Sequence, residues 1–446
     1  MKIKIQKGHN IRISGVPTGA VEMADKFQEF GIVPADYLGI KPKLVVKAGD
    51  KVELGSALFF DKKNPQVYYP SPAGGTIKEI IYGERRIIKK IVIATDDDEA
   101  IATLDTLVVE SSNRLDIIKY ILEANLWPLI RQRPFNITAR PEDTPKAIFI
   151  SGIDTAPLSI DPTMALKGRE GEFRTGLQVL TKLSGGAVHL TVPAGSSAEV
   201  FNNLNGITIH QISGPHPAGN VGIQIHHIDP INPGDIIWTV NVQHVATLGS
   251  LFKTGKYDPT VLIAVGGPAV KNPEFLQTRI GAPLSNLVQD NLNTTANRVI
   301  SGDVLTGRAA EGEDYLGFYH STISVLSIDH QRPFLGWAKI GNSAREYTLT
   351  NAYLKTGKRN FSFSTKLNGA RRAIVPINAW EDVLPMDIMP NALFRSILAQ
   401  DVEEMEKLGI LECDPEDFAL STFGCPSKIE LSSVIRQGLE LMEKEM

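Results

Sequence analysis

The feature of this sequence that most restricts its fold is a change of hydrophobic period along the chain. From Tyr37 to Thr95, short runs of alternating apolar and polar residues are punctuated by Gly and Pro (LVVKAGDKVELGSALFFDKK, QVYYPSPAGGTIKEII, RRIIKKIVI), the pattern of an all-β unit. From about Asp105 to Gly249 helical and strand patterns take turns. Leu115, Ile118, Ile121 and Leu122 fall on one helical face, KAIFISGI reads as a buried strand, Phe173, Leu177, Leu180 and Leu183 line a second helix, and the strand AVHLTV follows from Ala187. That alternation predicts an α/β unit with a mainly parallel sheet of Rossmann-like shape. Two such periods do not share one layer architecture, and at ~100–200 residues per domain the 446 residues allow about three domains, or four if some are small.

Gly49-Asp50 and the turn Ser71-Pro72-Ala73-Gly74 are placed as in the barrel-sandwich hybrid that the lipoyl and biotinyl carrier domains share, so residues 1–104 are expected to hold a unit of that kind. Within it, Glu84 to Ile91 reads as a strand whose charge pairs Arg85-Arg86 and Lys89-Lys90 put cations on both faces, a solvated edge or a partner-facing one. Residues 105–255 form the α/β unit. Gly-bounded strands (TVLIAVGG, RVISGDVLTG, STISVLSI) make 256–336 a small β-rich unit. Residues 337–446 end in helices: Phe394, Ile397, Leu398, Met405 and Leu408 form a stripe over Asn391–Leu411, and Ile429, Val434, Ile435, Leu439 and Met442 form another, joined by the loop ECDPEDFALSTFGCPS.

Several function classes drop out. Lys and Arg number 46 against 50 Asp and Glu, a balance that does not favour nucleic acid as a partner. Two cysteines, Cys413 and Cys425, are too few for a disulfide scaffold or a four-cysteine metal site, and a reducing compartment fits them best. The opening MKIKIQKGHN alternates as a half-exposed strand and has no apolar core of a signal peptide. No run reaches the ~18 apolar residues of a spanning helix. No two glycines stand two apart, so the dinucleotide fingerprint is absent, as are the P-loop ending and a nucleophile elbow.

Five histidines, His210, His216, His226, His227 and His244, fall in one stretch. In IQIHHIDP the flanking isoleucines read as a strand, which would point His226 and His227 to opposite faces, and satisfied structural histidines are the preferred reading. In SGPHPAGNVG two prolines stiffen the chain around His216 while Gly219 and Gly222 admit close approach, so the loop is a built turn or part of a site. LWPLIRQRPF combines Trp127 and Phe135 with Arg131 and Arg133, chemistry that suits a flat quinone ring whose oxygens gain charge on reduction; the alternative is a packing segment with its arginines on carboxylates. Asp61-Lys62-Lys63 lies near a hairpin tip as the modified lysine of a carrier domain does, but Asn64-Pro65 reads as a turn that withholds the second strand, leaving modification the minority reading.

Taken together, GVPTGAVE, DKKNP with its PSPAGG turn, LWPLIRQRPF, SGPHPAGNVG, RVISGDVLTG and DFALSTFGCPSK resemble the A subunits of the bacterial sodium-translocating NADH:quinone reductase, from the first strand to the last helix. The resemblance implies a peripheral subunit on the cytoplasmic face of the inner membrane, with five partner subunits, in a complex that oxidises NADH, reduces ubiquinone or another quinone, uses flavins and iron–sulfur centres, and exports Na+. It also implies kinship with the C subunit of the Rnf complex, and with the flavin-bearing subunit of respiratory complex I. From that kinship follow a Rossmann-like domain, a β-grasp (SLBB-like) domain and a C-terminal helical domain in which a cluster would sit. A cluster run anchored at Cys425-Pro426 would need cysteines where this chain has Ser421, Phe418 and Pro415. The expectation is therefore a vestigial cluster domain and a chain with no metal site or redox cofactor of its own. Trp127, Arg131, Arg133, Phe135 and His216 are expected to line or border a quinone pocket; the alternative is an assembly subunit with quinone bound elsewhere in the complex.

Overall fold

The computed structural model describes residues 1–331, 334–336, 339–341, 343–349, 359–375 and 377–445, so the boundary expected after residue 336 meets residue 337 outside the described set. The alternating runs after Phe27 form two small antiparallel sheets. One joins Glu29–Ile32, Ile88–Thr95, Gly75–Tyr82 and Lys51–Val52, and the other joins Pro42–Leu44, Ala57–Asp61 and Asn64–Pro70. Aromatic rings pack beside the second sheet: Phe59 stacks on its cross-strand partner Tyr69 at 4.6 Å, and Tyr37, from the segment that precedes this sheet, meets Tyr69 edge-on at 4.4 Å. Two local expectations fail here. Asn64-Pro65 does not turn the chain but begins the second strand, and Asp61 pairs with Asn64, so Lys62-Lys63 is itself the two-residue hairpin tip. Glu84–Arg86 is a turn with Arg85 and Arg86 at positive φ, and the strand starts only at Ile88. The cations of that turn therefore stand at a hairpin end, while Lys90 reaches Asp314 at 3.5 Å.

The α/β unit is built on a seven-stranded sheet in the order Lys2–Lys4, Ile207–Ser213, Ala187–Pro193, Ala147–Ser151, Ile237–Asn241, Arg131–Arg133, Ile137–Thr138. The first five strands are parallel and the last two antiparallel. The strand that opens the chain thus docks on the edge of this sheet rather than on the barrel-sandwich unit that follows it. Ile148 and Ile150 of the central strand point into a core shared with the helices Arg114–Glu123, Glu170–Leu183 and Val242–Thr254; Ala147 and Phe149 point the other way, into a second core closed by the C-terminal helices. Burial on both faces is why this strand reads as an unbroken apolar run. The first helix is rotated from the expected face: Ile117, Ile118, Tyr120 and Ile121 are buried, while Leu115 is 73 % exposed.

The third unit is a six-stranded sheet, Arg308–Ala309, Asn297–Ser301, Thr322–Ser327, Thr260–Gly266, Glu274–Arg279 and Val21–Met23, the last strand again lent by the N-terminal segment. Ion pairs lock it to the barrel-sandwich unit: Arg308 binds Asp36 at 3.1 Å and also Asp314, and Arg279 binds Glu99 at 2.7 Å. The C-terminal stripe over Asn391–Leu411 is not one helix. Gln400 adopts a left-handed conformation and Asp401 caps a new start, giving Pro390–Ala399 and Val402–Lys407; the final helix is Leu431–Glu445, and the loop between carries a short helix, Ala419–Gly424.

Candidate functional site

Chain direction within the parallel sheet reverses beside its central strand. From Ala147–Ser151 the chain moves outward through Ala187–Pro193 to Ile207–Ser213, then returns to the opposite side at Ile237–Asn241. Loops at the carboxyl ends of strands diverge at such a reversal, and open α/β sheets bind ligands in the crevice left there. Two loops that rim it carry polar side chains: residues 152–161 after the central strand, and 214–220 after the Ile207–Ser213 strand.

The second loop is held from three sides. Its His216 N–H donates to Asn10 Oδ1 at 2.8 Å, and its carbonyl accepts from His9 N–H at 2.8 Å. A side chain on Gly8 would meet that carbonyl at 2.2 Å, and Gly8 has φ +127, so glycine is required for this approach. Thr155 Oγ1 accepts from Gly219 N–H at 2.9 Å and stands 3.2 Å from His216 Nδ1. Nε2 has no partner, although the residue is 3 % exposed. Burial pulls the His216 pKa down to about 4 against the pull of Asp303, so the ring is neutral at physiological pH.

The opposite walls come from the other units. Asp303 follows the Asn297–Ser301 strand, with Oδ1 accepting from Leu305 N–H at 2.7 Å. Ser301 Oγ accepts from Gly317 N–H at 2.9 Å and meets His320 Nδ1 at 2.8 Å. Arg131 lies over the Tyr319 ring at 4.7 Å, a cation–π contact, and the Tyr319 hydroxyl donates to Pro128 O at 2.8 Å. From the C-terminal loop Glu416 keeps 32 % of its side chain exposed while pairing with Arg133 at 2.9 Å. These groups feel one another: Asp303 acts on His216, His320, Asp154 and Glu416, and Arg131 acts on His320 and Glu416. Asp154 is open to water, yet burial among protein atoms raises its pKa to about 7, with Asp303 and Glu416 adding to the effect.

Of the five residues expected at a quinone pocket, Arg131 and His216 reach this crevice. Trp127 is wholly buried, its indole N–H on Ala139 O at 2.7 Å and its ring edge-on to Trp238 at 5.5 Å. Arg133, 1 % exposed, is spent on Asp414 at 3.1 Å and Glu416. Phe135 packs half-buried against the C-terminal core, and its carbonyl accepts from Arg436 at 2.8 Å. LWPLIRQRPF is thus mainly the packing segment of its alternative reading, with one guanidinium at the crevice. Sequence reasoning passed over Asp154, Asp303, Tyr319, His320 and Glu416; the Gly-Asp step in RVISGDVLTG, directly after a strand, was the available signal for Asp303.

Among the remaining histidines, His226 and His227 are satisfied, whereas His210 Nδ1 is buried without a partner. His226 and His227 lie on a helix, Val221–Ile228, and not on the expected strand: apolar side chains two apart mimic a strand, but Gly222, Ile223, Gln224 and Ile225 are all buried, so this helix has no wide polar face to show in the sequence. His226 Nδ1 meets Glu412 at 2.7 Å and His227 Nδ1 meets Ile223 O at 2.9 Å. His189 and His210 meet each other at 2.9 Å, and His244 is buried against Phe318. At the vestigial cluster positions, Phe418 is core, Ser421 Oγ bonds Trp380 O at 3.3 Å, and Cys413 and Cys425 are both buried. Among the described residues no group of three or more His, Cys, Asp or Glu is placed to hold a metal ion.

The strand ends therefore bring together a neutral imidazole, a stacked guanidinium and a carboxyl group. This arrangement does not suit a pyrophosphate, because carboxylates stand where a glycine-rich loop would present backbone N–H groups. Fold and site together define a multidomain α/β and β protein with a group of polar side chains at the carboxyl ends of a parallel sheet. Three family models match in succession: "NqrA N-terminal barrel-sandwich hybrid domain" over residues 3–96, "NqrA second alpha/beta domain" over 113–257, and "NQRA C-terminal domain", of SLBB type, over 262–312. Proteins named as the A subunit of Na(+)-translocating NADH-quinone reductase are 39 % identical over 99 % of this chain and 100 % of theirs in Actinobacillus pleuropneumoniae serotype 5b, and 40 % identical over 99 % and 100 % in Pasteurella multocida. A chain of the NAD+-reducing [NiFe]-hydrogenase in its H2-reduced state, 12 % identical with a TM-score of 0.37 over 75 % of this chain and 64 % of that one, is too distant to carry an argument. The chain belongs to the A-subunit family of the Na+-translocating NADH-quinone reductase. No helix among the described residues is long and apolar enough to cross a membrane.

Proposed function

We propose that the chain is the peripheral, cytoplasmic-face A subunit of a six-subunit Na+-exporting NADH:quinone reductase, and that it contributes a quinone-binding surface without a redox cofactor of its own. The observation that carries this reading is the buried, unpartnered Nε2 of His216 at the carboxyl ends of the parallel strands. A buried polar atom without a partner costs free energy, and a ligand group would recover it. Arg131 stacked on Tyr319 supplies a flat cationic surface for a ring whose oxygens become negative. Trp127, Arg133 and Phe135 border the site and hold its walls. In this reading the α/β unit keeps a Rossmann-like shape and the C-terminal helices are a cluster domain emptied of its cluster.

Arg131→Ala and His216→Ala are each expected to weaken binding of a ubiquinone analogue by about 1–3 kcal/mol in the intact complex, with the melting temperature of the chain nearly unchanged for Arg131→Ala. Unchanged quinone affinity in both variants would favour the second reading, a subunit devoted to assembly. That reading draws on Trp127 and Arg133, which are wholly committed to internal packing. The purified chain is also expected to show no flavin absorbance in the visible range and no stoichiometric iron; either signal would defeat the cofactor-free assignment.

A further inference from the structure

We propose that the stretch 331–375 presents a surface that lies against an anionic phospholipid bilayer, its arginine and lysine side chains on lipid phosphates and Phe334 and other exposed apolar side chains among the headgroups. The proposal goes beyond the quinone reading and stands without it, because the contact needs neither the crevice nor a partner subunit. The stretch holds nine Lys and Arg against one acidic residue, Glu346, a net of +8 in a chain whose total is −4, so that all other residues together carry −12. Charge gathered in this way sets up a local positive field that the overall balance conceals.

The inner side of the stretch is pinned to the rest of the chain. Phe361 N–H donates to Arg12 O at 2.7 Å, the Phe361 carbonyl accepts from Ser14 N–H at 2.9 Å, and Tyr347 packs against the rings of Phe361, Phe363 and Phe423 at 5.0, 5.1 and 5.8 Å. Little of the charge is consumed internally. Glu346 pairs with Lys339 at 3.1 Å and Arg372 donates to the Pro426 carbonyl at 3.0 Å, whereas Arg345, Lys366 and Arg371 form no ion pair with a described carboxylate, and Arg345 and Arg371 are exposed. Of the nineteen large apolar side chains exposed among the described residues, seven fall between Ile328 and Ile377, with Phe334 at 91 %, Ile340 at 64 % and Leu367 at 58 %. Single apolar residues scattered over a surface are ordinary; their concentration in the most cationic stretch of the chain is not.

Two features favour a bilayer over an acidic protein. Along the chain the exposed apolar side chains alternate with cations instead of gathering in one patch, and the described residues of the stretch form no α-helix and no strand longer than an isolated bridge. A protein partner requires a contiguous, shape-matched patch. A headgroup layer instead admits aromatic and aliphatic side chains one at a time, and an anionic leaflet attracts the flanking cations collectively. With no spanning helix among the described residues, the contact lies on the membrane and does not cross it.

The test is co-sedimentation of the full purified chain with vesicles of phosphatidylcholine alone and of phosphatidylcholine mixed with phosphatidylglycerol. Wild type should bind the mixed vesicles and not the neutral ones, and should be released as the salt rises from about 0.05 M to about 0.5 M. Arg345→Glu/Arg371→Glu should lower the partition by about tenfold or more, and Phe334→Ala should lower it by about tenfold while keeping the salt dependence. Arg85→Glu/Arg86→Glu, which reverses two exposed cations at the hairpin end of the barrel-sandwich unit, should bind as wild type does. Equal binding to both vesicle types, no binding to the mixed ones, or a loss in Arg85→Glu/Arg86→Glu as large as that in Arg345→Glu/Arg371→Glu would overturn the proposal. So would a wild type that ignores vesicles and an Arg345→Glu/Arg371→Glu chain that no longer assembles with the other subunits, which would assign the surface to an acidic protein. Should a variant fail to fold, the lipid and salt dependence of wild type decides between a bilayer contact and none. Quinone binding enters none of these readouts, so their failure leaves the crevice reading as it was.

Discussion

Arg133→Ala is expected to destabilise the chain by about 3–5 kcal/mol, the usual cost of stripping one partner from a buried ion pair. The guanidinium is 2 % exposed and lies 3.1 Å from Asp414 and 2.9 Å from Glu416, with Arg436 a further 3.7 Å from Asp414. Asp417, also buried, accepts from Asn220 Nδ2 at 3.2 Å and lies against Gly222, so one arginine sits among three acidic side chains that bind the C-terminal loop to the α/β unit. Burial works against the charge on Arg133, but Asp414, Glu416 and Asp417 outweigh it and raise its pKa; Glu416 and Asp417 are themselves pushed up, first by burial. Removing the cation pushes those two carboxyls higher still. A folded-state pKa above the unfolded one favours folding at low pH and is a growing penalty as pH rises through the shifted value. The loss in urea-unfolding free energy should therefore be larger at about pH 8 than at about pH 5. A loss under about 1 kcal/mol, or one that shrinks with rising pH, would mean that the cluster does not carry the domain contact.

This arginine also shows how far the sequence could be read. LWPLIRQRPF announces aromatic and cationic side chains but not their direction. On the Arg131–Arg133 strand successive residues point to opposite faces, so two arginines two apart share a side in principle; the outcome differs because Arg133 meets a loop some 283 residues away in sequence. No local period encodes Asp414 or Glu416 opposite it. The layer order was legible wherever a period was long: the Glu170–Leu183 helix and the Ala187–Pro193 strand fall where their apolar spacing puts them. It was lost where segments were short and wholly buried, as at His226-His227, or where turn chemistry decided, as at Lys62-Lys63.

The crevice was half legible for a related reason. His216 stood out because prolines and glycines crowd around it, which marks a loop under constraint. Asp154, Asp303 and Glu416 are ordinary acidic residues in three separate segments, and what makes them a group is the meeting of the α/β, SLBB and C-terminal units at the strand ends. A sequence lists such residues far apart and gives no distance between them.

The second large effect concerns the two helices that cover one face of the parallel sheet. A Cβ on Gly249 would lie 1.7 Å from Glu172 O, and one on Gly176 would lie 2.0 Å from Val245 O. Both obstacles are backbone, which cannot rotate away as a side chain can, so Gly249→Ala or Gly176→Ala must drive the Glu170–Leu183 and Val242–Thr254 helices apart. Overpacking ordinarily costs about 1–3 kcal/mol, and with backbone on both sides the expected loss is at the top of that range or beyond it, about 3 kcal/mol or more. Gly171, on the same helix, is the internal contrast: a Cβ there meets only the Lys253 ammonium at 3.0 Å, the movable end of a flexible side chain. Gly171→Ala should instead gain up to about 1 kcal/mol, because alanine is the better helix former. Opposite signs at positions five residues apart cannot arise from helix propensity, which favours alanine at both, so urea unfolding of the two variants separates close packing from propensity. The Val242–Thr254 helix starts at Asn241, on the carboxyl end of the Ile237–Asn241 strand that flanks the reversal point, and carries His244 against Phe318. Displacing it should also disturb the seating of the neighbouring Tyr319 and Arg131, so Gly176→Ala, which touches no crevice residue, is expected to weaken quinone-analogue binding, whereas Gly171→Ala should leave it as it was.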